Sequence, residues 1–138
     1  MRFSALVSIP AISLALLFAS GCGSKIAECN KLIETMNTEG SKLKVSGSDA
    51  AALKKMADDL DSSAKVIGAV DIKTPELVKF RDDARKVFTD VASAARASAQ
   101  AVETKDLSKV AGAMKSLSES TQANSKLVGD INSFCQGK

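Results

Sequence analysis

The segment Thr74-Pro75-Glu76-Leu77 decides how this chain is divided into helices. Threonine at an N-cap, proline at the first helical position and an acidic residue beside it together form a strong helix-start signal. After this signal, apolar and small residues recur every three or four positions as far as Ala101. That spacing predicts a helix over 75–103 with one side facing a core. From Val91 onward its inward positions are nearly all alanine, which lets a neighbouring helix approach closely.

The same spacing predicts three more helices, over 24–45, 49–69 and 107–135. Ser48 and Asp106 are the predicted N-caps of the second and the last helix. The residues predicted to face the core on these three helices are Ile26, Cys29, Ile33, Met36, Gly40 and Leu43, then Leu53, Met56, Leu60, Ser63, Ala64, Ile67 and Val70, then Leu107, Val110, Met114, Leu117, Thr121, Asn124, Val128, Ile131 and Cys135. Connections of about three to five residues between helices favour antiparallel neighbours. The expected fold is therefore all-α, an antiparallel up-down-up-down four-helix bundle.

The first 22 residues have a different pattern. Arg2 supplies a positive charge, residues 5–19 are almost wholly apolar, and the small residues Ala19-Ser20-Gly21 precede Cys22. The apolar run is about 15 residues long, against the ~20 that a helix needs to span a bilayer. A short basic start, an apolar run and small residues before a cleavage site are the parts of a secretory signal. With a cysteine at the cleavage site, the segment resembles the signal peptide of bacterial lipoprotein precursors.

This resemblance implies that residues 1–21 are removed and that residues 22–138 form a lipid-anchored helical bundle domain. In lipoproteins the cysteine carries a diacylglycerol on its sulfur and often a third acyl chain on its amine, so Cys22 would bind membrane lipid stably. Enterobacterial lipoproteins that are kept in the inner membrane have aspartate directly after the lipidated cysteine. In this chain that position is Gly23, and the lack of aspartate there implies an outer-membrane location in the cell envelope. The alternative is an ordinary secretory signal cut near Gly21, with Cys22 unmodified.

Three cysteines, Cys22, Cys29 and Cys135, leave one thiol unexplained in an exported chain. Lipidation of Cys22 removes it from the count and leaves a pair. An up-down-up-down bundle brings the start of its first helix to the end of its fourth, and the space outside the cytoplasm is oxidising. We therefore expect a Cys29–Cys135 disulfide, with two buried free thiols as the alternative.

The composition argues against catalysis. The chain contains no His, Trp or Tyr, so it lacks the commonest general base and metal ligand, and it lacks most residues that stack on bases or sugars. Its net charge of +3 comes from interspersed residues rather than a basic patch, which argues against a nucleic-acid partner. The acidic pairs at 58–61 and 82–83 are flanked by Lys and Arg and indicate solvated helix faces. No cofactor, no metal and no enzymatic activity are expected.

Polar residues interrupt the predicted core in the second half of the chain, at Ser98, Thr121 and Asn124. Such residues fix the register of the helices, are simply exposed in part, or line a small ligand cavity. The function expected is that of a non-catalytic helical interaction or structural module, anchored to the envelope membrane and binding an unknown envelope protein. The alternatives are a ligand-binding protein with a small cavity between helices, and an inhibitor or immunity-type protein that blocks a secreted enzyme.

Overall fold

The computed structural model describes residues 20–43 and 47–137, which form four helices: α1 (Ser20–Lys42), α2 (Ala50–Gly68), α3 (Pro75–Thr104) and α4 (Leu107–Cys135). The described part contains no strand. The predicted all-α, up-down-up-down four-helix bundle is confirmed. The proposed signal peptide lies almost entirely outside the described residues, as do Ser46 of the predicted first turn and the side chains of Cys22 and Leu107.

Two of the three predicted helix starts are confirmed. Pro75 is the first residue of α3 after Thr74 at the N-cap, and Asp106 caps α4 by accepting from the backbone N–H of Ser108. The prediction of Ser48 as the cap of α2 is wrong. Asp49 is the cap, because its carboxylate accepts from the backbone N–H of Ala52 at 2.8 Å.

A side chain from another helix completes the start of α3. Thr74 makes no capping bond with its own side chain, and the carboxylate of Glu28 in α1 accepts from the backbone N–H groups of Lys73 at 3.1 Å and Thr74 at 3.0 Å. The pKa of Glu28 is lowered, first by the side-chain hydrogen bond with Thr74 and then by its backbone N–H. Glu28 thus joins α1 to the start of α3 and places a negative charge at the positive end of that helix.

The best-packed part of the core lies at the end of the bundle where α1 begins. Cys29 and Cys135 form a disulfide there, with their Cα atoms 5.9 Å apart. Phe80 and Phe134 pack edge to face beside it, with ring centroids 5.7 Å apart. This region contains the largest fully buried side chains of the core, Leu32, Ile67, Leu77 and Ile131. We call this region the disulfide end.

The register of α1 against α2 is set by two polar contacts. Lys31 Nζ donates to the carbonyl of Asp71 at 3.4 Å, and Ser63 Oγ donates to Glu39 at 3.0 Å. Since the last turn of α1 therefore lies opposite the second half of α2, about three turns at the start of α2 extend beyond α1. At the end of the bundle away from the disulfide, α2, α3 and α4 lack a full-length fourth neighbour.

The inward face of α4 differs from the predicted one. Met114, Leu117, Thr121 and Val128 were predicted to face the core, and all four are exposed, Met114 to 60%. Ile131 is buried as predicted. The other buried residues of α4 lie one position before predicted core residues: Ala113, Ser120 and Leu127.

The inward face of α4 differs because of the helix that α4 packs against. It packs closely along α3, whereas within the described residues no Cα atom of α4 comes within 8 Å of one in α2. The α3 surface at this level is built from buried alanines such as Ala94 and Ala99, and small residues of α4 allow the closest approach to it. A shift of one residue turns a helix by about 100°, so the larger apolar residues of α4 face the side that α1 covers only in part.

We expect an unreduced digest of the protein to contain Cys29 and Cys135 in one cross-linked peptide, as read by mass spectrometry. The bond closes a loop with a sequence separation of 106, for which the chain-entropy model gives roughly 4–5 kcal/mol of stabilisation. Replacing both cysteines with serine should lower the free energy of unfolding by about this amount in urea titration. Two separate free-thiol peptides would contradict the bond.

A buried carboxylate also holds α1 against α2. Glu39 is only 5% exposed, and it accepts hydrogen bonds from Lys42 and Ser63. The pKa of Glu39 is lowered, chiefly by the hydrogen bond from Lys42, which outweighs burial. Because folding lowers this pKa, the ionised side chain stabilises the fold above the unfolded-state pKa, and that contribution is lost as the pH falls through the folded-state value.

We therefore expect Glu39→Gln to lower the free energy of unfolding by about 1–2 kcal/mol at pH 7. The difference from the parent should shrink as the pH falls below about 4.3, the ordinary glutamate pKa. Urea titrations between pH 3 and pH 7 measure this, with Glu34→Gln on the exposed side of α1 as the control. A deficit that does not change with pH would contradict the role of the charge.

Candidate binding cleft

An open cleft of about 460 Å³ lies beside the end of α1. Its floor is formed by α2 and α3, and its two walls by the last turns of α1 and the middle of α4. The residues that line it are Met36, Asn37, Gly40, Leu43, Leu60, Val87, Phe88, Val91, Leu117, Ser120, Thr121, Asn124 and Val128. It exists because α1 ends opposite the middle of the bundle and α4 turns its larger apolar residues toward the uncovered side.

Among the described residues, no charged side chain lines the cleft. This is unusual for a chain in which 25% of residues are charged. Two other surface clefts show the contrast: one between α2 and α3 contains Lys65, Arg85 and Asp90, and one between α3 and α4 contains Asp90 and Glu119. Of these three, only the cleft beside α1 presents a continuous uncharged surface.

Polar groups line the cleft at its walls. Ser120 and Asn124 project from α4, and Asn37 faces them from α1. None of these three side chains makes a hydrogen bond to another group within the described residues. Thr121 differs, because its hydroxyl already donates to the backbone carbonyl of Leu117 at 2.9 Å. Asn124 and its neighbours therefore offer free donors and acceptors beside an apolar floor.

The residues predicted as a polar layer do not form one. Thr121 and Asn124 both line the cleft, but Thr121 is exposed and Asn124 is half-buried. Ser98 is absent from the cleft, and its hydroxyl donates to the carbonyl of Ala94 one turn earlier in α3. The physical reason is again the orientation of α4. It turns Thr121 away from α3, so that Ser98 of α3 does not lie beside Thr121 and Asn124.

Sequence reasoning missed the α1 side of the cleft. Asn37 gave no signal because a single asparagine on an exposed helix position is common. Gly40 did give one, since a glycine inside a helix costs ~1 kcal/mol relative to alanine. A Cβ atom built on Gly40 would meet nothing within 4 Å, so this position opens onto free space in the wall of the cleft.

The acidic pairs are occupied by basic neighbours. Lys55 pairs with Asp59 and Lys79 with Asp83, each one helical turn away. Arg96 of α3 reaches across to both Asp58 and Asp61 of α2, at 2.8 and 2.7 Å. These ion pairs are exposed to solvent, so each contributes little to the stability of the fold. Among the described residues, no cluster of three or more acidic, Cys or His side chains has the geometry to hold a metal ion.

Comparison of the chain with known protein families, curated proteins and solved structures found no match. Of the helices in the described ranges, none is both long enough and apolar enough to cross a membrane.

Proposed function

We propose that this chain is a bacterial envelope lipoprotein whose helical domain works by binding another envelope protein rather than by catalysis. The observation that carries this proposal is an exposed apolar row on α4. Met114, Leu117 and Val128 are exposed to 60%, 37% and 41%, although their helical spacing is that of a packed seam. Apolar residues aligned on one helix face and left uncovered are typical of a surface that a partner covers.

The anchor is proposed from the segment that ends at Cys22, which resembles the signal peptide of bacterial lipoprotein precursors. In α1, Cys22 precedes Cys29 by seven residues, which is about 10 Å along a helix axis. Lipid on Cys22 therefore keeps the disulfide end of the bundle next to the membrane. The exposed row on α4 starts at Met114, near the other end, and extends back toward the membrane along the side of the bundle. A partner in the envelope has access to it there.

Catalysis has little support in the chemistry of this chain. It has no histidine, and the carboxylates of its acidic pairs are held in surface ion pairs. An inhibitor or immunity-type protein would also act by binding a partner, in that case a secreted enzyme. The exposed row on α4 could serve as the binding surface for such an enzyme as well as for another envelope protein.

We expect Cys22→Ser to move the protein from the membrane pellet to the soluble fraction after cell lysis, because the thiol that accepts the lipid is gone. The measurement is immunoblotting of fractions, with Asn30→Ser as the control, which changes an exposed residue of α1 and keeps all three cysteines. Metabolic labelling with a palmitate analogue should mark the parent and the Asn30→Ser variant only. A Cys22→Ser protein that stays in the pellet contradicts lipid anchoring.

We expect a photoreactive amino acid at Met114 to cross-link a discrete partner protein in intact cells. The matched control is the same residue at Ser116, which is exposed on the other side of α4. Co-expression of an excess of the chain without the photoreactive residue should compete the Met114 adduct away. Equal adducts from both positions, or none from Met114, would contradict a partner surface on this face.

A further inference from the structure

The cleft between α1 and α4 has the properties of a small-molecule site. Its volume of about 460 Å³ lies within the range of ligand pockets, about 300–1,000 Å³. Residues from all four helices line it, so a bound molecule would touch every element of the bundle. A smaller hollow between the same two helices shares Met36, Asn37 and Val128 with it and extends it toward the disulfide end.

The chemistry of the lining identifies the class of ligand. The floor is apolar and includes Leu60, Phe88 and Val91, which suits a hydrocarbon or ring. None of the described side chains in the lining could neutralise a charge, and transferring an unpaired charge into apolar surroundings is strongly unfavourable. Polar contacts are limited to hydroxyl and amide groups at the walls.

Those polar groups give the ligand an orientation. Asn124 of α4 and Asn37 of α1 each offer an N–H donor and a carbonyl acceptor, and Ser120 adds a hydroxyl. Because none of the three has a partner among the described residues, a ligand with its own hydroxyl, ester or amide group would satisfy them. A pure hydrocarbon would leave them unsatisfied.

We propose that this cleft binds a small uncharged amphiphile, with an apolar body on the α2–α3 floor and a hydroxyl-, ester- or amide-bearing end against Asn37, Ser120 and Asn124. The site shares Leu117 and Val128 with the exposed row on α4, but ligand binding in the cleft does not require that a partner protein binds the row. Bound ligand would bridge α1 and α4, which otherwise contact each other little away from the disulfide end.

The absence of Trp and Tyr makes a fluorescent probe simple to read. The full chain with Cys22→Ser is titrated, without detergent, with the neutral dye N-phenyl-1-naphthylamine. The dye is then displaced by three molecules with the same twelve-carbon chain, all below their micelle concentrations: monolaurin, which is uncharged, laurate and dodecyltrimethylammonium. We expect saturable dye binding, and displacement by monolaurin at concentrations at least tenfold lower than by either ion.

Two glycines provide a matched pair of variants. Gly40→Leu fills the cleft from α1, and Gly129→Leu makes the same change on α4 at a position that does not line it. A Cβ atom at either site meets nothing within 4 Å, and leucine favours a helix over glycine, so both melting temperatures should equal or exceed that of the parent. We expect Gly40→Leu to weaken dye binding at least tenfold and Gly129→Leu to leave it unchanged.

Further substitutions separate filling the cleft from changing its polarity. Thr121→Phe adds bulk from an exposed position on α4 and should also weaken dye binding, which provides a second blocking variant should Gly40→Leu fold poorly. Asn124→Leu should retain dye binding and lose at least threefold in displacement by monolaurin. The proposal is overturned by non-saturable dye binding, by unchanged binding in a folded Gly40→Leu or Thr121→Phe variant, or by equal displacement by the ions. None of these outcomes changes the expected fractionation of Cys22→Ser or cross-linking from Met114.

Discussion

The covalent link between Cys29 and Cys135 determines where α1 can lie. It holds the first half of α1 against the end of α4, and Glu28 joins the same half to the start of α3. With that end fixed, a helix that stops at Lys42 cannot reach the far half of the bundle. The two ends of the molecule therefore differ, one built from four helices around large apolar residues and the other from three around alanine.

The open cleft and the exposed row on α4 share this one cause. Beyond the end of α1, the larger apolar residues of α4 have no helix α1 to pack against. There α4 packs on α3 through Ala113 and Ser120 instead. Leu117 is then left beyond the end of α1, and Val128 lines the open gap between α4 and α1. Glu39 closes the last described turns of α1 onto α2 with a buried, paired carboxylate, so the edge of the cleft is set by a specific polar contact. Because one wall is a single helix held mainly at one end, the width of the cleft depends on the packing of α1.

A feature of the fold could be predicted from the sequence when residues close together in the chain determine it, or when the order of the helices does. The start of α3 could be predicted because Thr74 and Pro75 signal it within a few residues, and the disulfide because alternating helices bring Cys29 and Cys135 together. The orientation of α4 could not be predicted, because the spacing of Met114 and Leu117 is that of core residues whether or not another helix covers them. The cleft was foreseen in part through Asn124. Its other wall, at Asn37 and Gly40, depends on the register between α1 and α2, which a periodic pattern leaves undetermined.

The disulfide also sets the path that mechanical force takes through the molecule. If Cys22 carries lipid and a partner holds α4, as proposed, tension between membrane and partner runs along the first turns of α1, through the sulfur–sulfur bond and directly into α4. Neither α2 nor α3 lies on that path, so their packing against each other is not pulled apart. A tether of this kind can be strained without unfolding the core, and cutting the disulfide would route the same force through all four helices in series.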